Sequence, residues 1–193
     1  MIERALVNRN CGVAIKITVK GIISIVLIAL AVGLPLMLHA ALGQQGGAMW
    51  LPIYLPVLLC GCILGVKWGV AVGITAPVIS YLITLAIGEP MPALTRLPYM
   101  IAELAAAAAV TGAVANKITE KGIVAVPAVI LGLLAGRLTF LVLAAIFASI
   151  SPLSVAAAWS QIRTGLAGAG VQAVVVPIIV IALRKALLKD DKR

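Results

Sequence analysis

Long apolar runs, parted by short polar or proline-rich breaks, fill nearly the whole chain. Six such runs stand at about 18–42, 51–65, 69–87, 97–118, 123–150 and 166–183. A helix rises about 1.5 Å per residue, so about 20 apolar residues cross the hydrocarbon core of a bilayer. The pattern predicts one all-α membrane domain over residues 1–193, a bundle of six transmembrane helices with no separate soluble domain. The second run is short and carries Pro52 and Pro56. Its first turns are expected to be irregular, which is tolerated at membrane depth only where the backbone lines a cavity or is covered by protein. Pro35, Pro77 and Pro177 are expected to kink the first, third and sixth runs.

The breaks carry their own expectations. GQQGGAM reads as a flexible loop and VKW as a tight turn. GEPMPALTR reads as a stiff proline-rich loop and NKITEKG as a polar turn. SPLSVAAAWSQIRTG is the longest break and is expected to hold a short amphipathic helix ending near Trp159. Residues 1–17 read as a basic interfacial leader, polar for too long to be a secretory signal. RKALLKDDKR reads as a charged tail.

Composition agrees with the pattern. Hydrophobic residues make up 63% of the chain, against about 45–50% for a soluble domain. The net charge of +9 does not indicate nucleic acid, because the basic residues gather at the ends of the runs. Arg4, Arg9, Lys16, Lys20, Lys67, Lys117, Lys121, Arg184, Lys185, Lys189, Lys192 and Arg193 fall on one side, and only Arg96 and Arg163 on the other. Basic residues mark the cytoplasmic side, so both termini are expected there. No glycine-rich nucleotide loop, Gly-x-Ser-x-Gly or His-Glu-x-x-His motif is present, and there is one histidine. The chain is therefore expected to be neither an ATPase nor another enzyme, and to use no cofactor. No metal site is expected either. Cys60 and Cys62 face different sides of a helix, which is wrong for a shared metal and for a disulfide.

Two charges interrupt the apolar runs. Glu103 lies in LPYMIAELAAAAAVTGAVANKI and Arg137 in GIVAVPAVILGLLAGRLTFLVLAAIFASI. A charge in hydrocarbon costs at least about 2.5–3.5 kcal/mol, so such residues face a polar cavity or each other. With the termini cytoplasmic, both fall in the outer half of the membrane, together with Gln172 and with Tyr54, Tyr99 and Trp159. Two readings stay open for Glu103 and Arg137, a ligand site or a structural ion pair. Gln172 reads equally as a pocket contact or as a helix–helix hydrogen bond. The aromatic residues read as an interfacial belt of which some members contact ligand. His39 is placed at the outer end of the first run.

Several of these segments in this order resemble the substrate-binding S components of energy-coupling factor (ECF) transporters. They are ALAVGLPLMLHAALG, MWLPIYLPVLLCGCILGVKWGVAVGITAPVISYLIT, LPYMIAELAAAAAVTGAV, AGRLTF and GAGVQAVVVPIIV. The resemblance implies a six-helix fold with an outward-facing pocket for a vitamin or related micronutrient in a prokaryotic cell membrane. It implies as partners a transmembrane T component and two cytosolic ATPase subunits, with no nucleic acid. Glu103, Arg137, Gln172, Tyr54, Tyr99, Trp159 and His39 are the expected ligand-binding residues. The T component is expected to dock on small residues of the first helix. Ile25 stands where the family has a small residue, so the nearest small pair is Ala29 with Gly33. A stand-alone carrier or channel and a ligand-free membrane scaffold are the rival readings.

Overall fold

The computed structural model describes residues 1–8, 11–88, 90–149 and 153–188. Among these the chain is helical, with nine α-helices and no strand. They are α1 (Ile2–Asn8), α2 (Val13–Trp50), α3 (Tyr54–Leu64), α4 (Val66–Ala86), α5 (Leu97–Ala113), α6 (Ala115–Glu120), α7 (Ala125–Ile146), α8 (Val155–Thr164) and α9 (Leu166–Leu188). Four apolar segments are long enough to cross a membrane, namely Val13–Gly43, Val66–Ala86, Gly122–Ile146 and Leu166–Leu188. They fit an all-α, multi-pass membrane protein. The second and fourth expected spans form shorter helices, 11 residues in α3 and 17 in α5. Arg9 and residues 189–193 of the expected tail lie outside the described residues.

The helices place their large side chains in reverse of a soluble bundle. Ile22, Ile25, Val26, Leu131, Leu134, Leu138, Val174 and Ile178 are exposed on α2, α7 and α9. A bilayer is the solvent such a surface requires. Small residues fill the inner contacts, because only dispersion and hydrogen bonding hold helices together in lipid. Helix α5 is the hub, packed chiefly against α4 and α7. Gly136 on α7 faces the Glu103 carbonyl of α5, and a Cβ there would stand 3.0 Å from that oxygen. The alanine run of α5 supplies the other half of the contact, with Ala107 and Ala108 fully buried.

Helix α3 stands inside the bundle, against α2, α4, α5 and α9. Ten of its residues are buried. At about 1.5 Å per residue it is about 16 Å long, roughly half the hydrocarbon thickness. Leu51–Ile53 precede it as irregular backbone, with Leu51 at φ 51°. This irregularity is what the prolines of the second run lead one to expect.

The breaks differ from expectation in position. The backbone of GQQGGAM is helical and belongs to α2, which is interrupted only at Gly43 (φ 70°, ψ −176°). Gly65 alone, at φ 88°, turns α3 into α4, so Val66, Lys67 and Trp68 begin a helix. Glycine adopts this left-handed backbone without a Cβ clash, so one residue suffices for the turn. NKITEKG is mostly the short helix α6. Helix α8 continues past Trp159 to Thr164 and is capped by Ser154, whose Oγ accepts from Ala157 N at 3.1 Å. Helix α7 stops at Ile146, short of the expected 150, and α9 continues to Leu188. Pro35, Pro77 and Pro177 lie inside their helices.

The two ends of the bundle differ. At one end α1 buries Met1 and Ile2, and Glu3 pairs with Lys20 at 2.8 Å. There too Arg184 donates to the carbonyls of Thr119 and Glu120 at 2.9 and 2.7 Å. A groove of about 740 Å³ also lies at this end, between Met1, Glu3 and Asn116. The other end carries Leu51–Ile53, residues 87–88 and 90–96 and α8, and holds a cavity into which the buried charges reach.

Candidate functional site

The cavity has a volume of about 330 Å³ and opens between α2, the start of α3, the α4–α5 connection, α7 and α8. A pocket of that size suits a small metabolite. Glu103 and Arg137, 34 residues apart in sequence, meet in its wall. Nη1 of Arg137 donates to Oε1 of Glu103 at 2.8 Å, and the two side chains are 11% and 4% exposed. The α5–α7 approach at Gly136 sets this spacing. The Arg137 guanidinium also stands over the Tyr54 ring, 5.3 Å from its centroid, so the charge is held from a second direction.

The pair is incomplete. Nη2 of Arg137 is buried and has no hydrogen-bond partner. It lies against Gly165, where a Cβ would come within 2.7 Å of it. Tyr54 Oη is also buried, beside the Glu103 carboxylate and close to Gly136. Gln161 of α8 lines the same cavity, and its Oε1 is buried and unpartnered. Two polar atoms of cavity-lining residues, Arg137 Nη2 and Gln161 Oε1, thus lack a partner. An unsatisfied buried group costs about 1–3 kcal/mol, and native proteins rarely collect several without a use for them.

One wall comes from the α4–α5 connection. Thr84 Oγ1 accepts from Met91 N at 2.8 Å, and Ser80 Oγ donates to Met91 O at 3.3 Å. These bonds pin Met91 to α4, so residues 90–93 lie along the cavity. Arg96, exposed, lies at the cavity just before α5, and His39 lines the α2 side. His39 Nδ1 donates to the Pro35 carbonyl at 2.7 Å, which leaves Nε2 for other partners.

Of the residues expected from sequence, the structure brings together Glu103, Arg137, Tyr54 and His39. It places three elsewhere. Tyr99 is buried in a separate cluster, edge-on to Phe140 and Phe147 at 6.2 and 6.5 Å. It buttresses α7 from behind the site. Trp159 is half exposed and outside the cavity, because α8 turns Ala158 and Ile162 inward and so directs Trp159 away. Gln172 is buried on α9 with Oε1 unpartnered, and it does not line the cavity. Ala29 is exposed on α2, and a Cβ on Gly33 would meet nothing within 4 Å, so that face is open.

Sequence reasoning missed Gln161, Arg96 and the Ser80–Thr84–Met91 clasp. Gln161 had a signal, since it lies three residues after Ala158 on the inward side of an amphipathic helix. The clasp had none, because Thr84 and Ser80 read as ordinary helix residues.

Among the described residues no three His, Cys, Asp or Glu side chains gather as metal ligands, and Cys60 and Cys62 are both buried in α3. Comparison with protein-family models, with curated proteins and with solved structures gives no match, and none identifies the chain as an S component.

Proposed function

We propose that the chain is the substrate-capture subunit of an ECF-type importer, binding a small water-soluble nutrient and handing it to an ATPase-driven complex. The observation that carries this reading is the incomplete Glu103–Arg137 pair in the wall of a metabolite-sized cavity. A purely structural pair gains from closing every donor and acceptor. This one leaves a guanidinium nitrogen of a cavity-lining residue unpartnered, with Gln161 Oε1 unpartnered in the same lining.

The direction of capture follows from charge. Among the described residues the end opposite the cavity holds Arg4, Lys16, Lys20, Lys67, Lys117, Lys121, Arg184 and Lys185, whereas the cavity end holds Arg96 and Arg163. Positive residues favour the cytoplasm, so the cavity faces outward and both termini are cytoplasmic in a prokaryotic plasma membrane. On this reading α3 and α5, with their flanking segments, supply the second and fourth of six crossings. Ala29 and Gly33 offer the close-approach face to the T component, and two cytosolic ATPases supply the energy.

The test is reconstitution. In liposomes the purified chain should bind a small molecule but give no ATP-driven uptake until a T component and the ATPases are added. Concentrative uptake by the chain alone would refute the reading in favour of a self-sufficient carrier. A chain that binds nothing would refute it in favour of a scaffold.

A further inference from the structure

We infer that the cavity is built for a small organic anion that also carries an N–H or O–H donor. The inference rests on the capture reading and specifies the chemical class of what is captured.

The first argument is the charge left over. Glu103 is matched by one edge of Arg137, and Arg96 adds a second cation at the cavity. Among the described residues that line this space no other carboxylate is present. With Glu103 and Arg137 matched, the surplus charge among these residues is that of Arg96, which attracts an anion.

The second argument is the idle donor. Arg137 Nη2 is nine-tenths buried with its residue and has no partner, and a guanidinium N–H can be satisfied only by an acceptor. A carboxylate or phosphate oxygen is the acceptor that a guanidinium binds most strongly. Gly165 leaves room beside that nitrogen, where any larger residue would press on it.

The third argument is the backbone. Helices α3 and α5 both begin at the cavity, at Tyr54 and Leu97, and neither has a side-chain cap on its N-terminus. Tyr54 N and Leu97 N are bonded to the carbonyls of Leu51 and of Ala93 and Leu94, so what these N-termini offer an anion is the positive end of the helix dipole. The C-terminal part of α4 also reaches the cavity, but Ser80 and Thr84 there are committed to Met91. The donor requirement comes from Gln161, whose idle Oε1 is an acceptor and calls for an N–H or O–H across from it.

The experiment measures thermal unfolding of the full chain in detergent against three matched sets of small metabolites. These are carboxylates bearing an amide or hydroxyl group, the primary amides of the same acids, and the corresponding amines. Vesicles of phosphatidylglycerol and of phosphatidylcholine form a fourth arm. Stabilisation is expected from members of the carboxylate set alone. For the best of these, affinity should fall about ten- to hundred-fold in Arg137→Gln. It should fall by a smaller, salt-dependent factor in Arg96→Gln, which lies exposed at the cavity and folds independently of the buried pair. Should Arg137→Gln fail to fold, Arg96→Gln and the salt dependence still decide. Stabilisation by amides or amines without their acids overturns the anion and leaves the capture reading standing. Stabilisation by phosphatidylglycerol alone overturns it in favour of a lipid headgroup. No stabilisation by any soluble compound overturns both.

Discussion

Removing one charge from the Glu103–Arg137 pair separates its contribution to folding from its contribution to binding. With a 2.8 Å contact and side chains 4% and 11% exposed, the pair is shielded from solvent on every side but the cavity. Breaking a dry buried pair costs about 3–5 kcal/mol, because the surviving charge is left uncompensated. Here both side chains line the cavity wall, so the surviving charge can turn toward that space, and Glu103→Gln or Arg137→Gln should cost nearer the roughly 1–3 kcal/mol of an unsatisfied polar group. At about 2–4 °C per kcal/mol for a chain of this size, the ligand-free melting temperature should fall by roughly 2–12 °C. The double change Glu103→Leu with Arg137→Leu removes both charges and should regain most of that loss. Binding should follow a different course, falling at least about ten-fold in each single variant and in the double variant alike. Arg137→Lys keeps the charge but loses the planar fork, and should bind as weakly as Arg137→Gln. Melting curves in detergent and calorimetric titration with the best stabilising carboxylate read the two effects independently. A double variant that regains both stability and affinity would show that the pair only pins α5 to α7.

Three further outcomes are expected. Gly136→Ala places a Cβ 3.0 Å from the Glu103 carbonyl and 3.3 Å from Tyr54 Oη, so it should cost about 1–3 kcal/mol by overpacking and weaken binding with it, as melting and titration would show. Gly33→Leu adds its side chain to open space, so melting should stay within about 0.5 kcal/mol of the parent while co-purification with the T component is lost; unchanged assembly would remove α2 as the docking face. Leu94→Cys should react with an impermeant maleimide in intact cells and Asn116→Cys only after permeabilisation, both positions being exposed at opposite ends of the bundle; the reverse order would invert the topology.

The sequence pointed to Glu103 and Arg137 as partners because a charge in an apolar run has few acceptable surroundings, and the nearest opposite charge in another run is the cheapest of them. The same logic reached Tyr54 through depth alone. It failed for Tyr99 and Trp159, because depth places a residue along a helix axis and says nothing of its rotation about that axis. Each residue turns about 100° from the last, and packing chooses the angle. Phe140 and Phe147 claim Tyr99, and the inward Ala158–Ile162 face of α8 sends Trp159 outward. Composition also misplaced the breaks, since GQQGGAM reads as loop throughout while the backbone turns at Gly43 alone.

The cavity itself follows from the shortness of α3. That helix is buried from Pro56 to Leu64 and spans about half the bilayer core, so the space beyond its N-terminus has to be lined or filled. Two prolines stop it from lengthening. Pro56 is the third residue of α3, where a missing N–H leaves nothing unpaired because the first turn has no intrahelical acceptor. One more turn at the start would make Pro56 an interior residue. Its ring would then collide with the carbonyl of Pro52, and that carbonyl would lose its donor. The chain instead runs as irregular backbone through Leu51–Ile53, covered by α8 and α9 and lining the cavity, the setting in which such backbone is tolerated at membrane depth. The volume that the missing turns would occupy is the site. The N-terminus of α3 begins at it, and Glu103 and Arg137 reach it from α5 and α7.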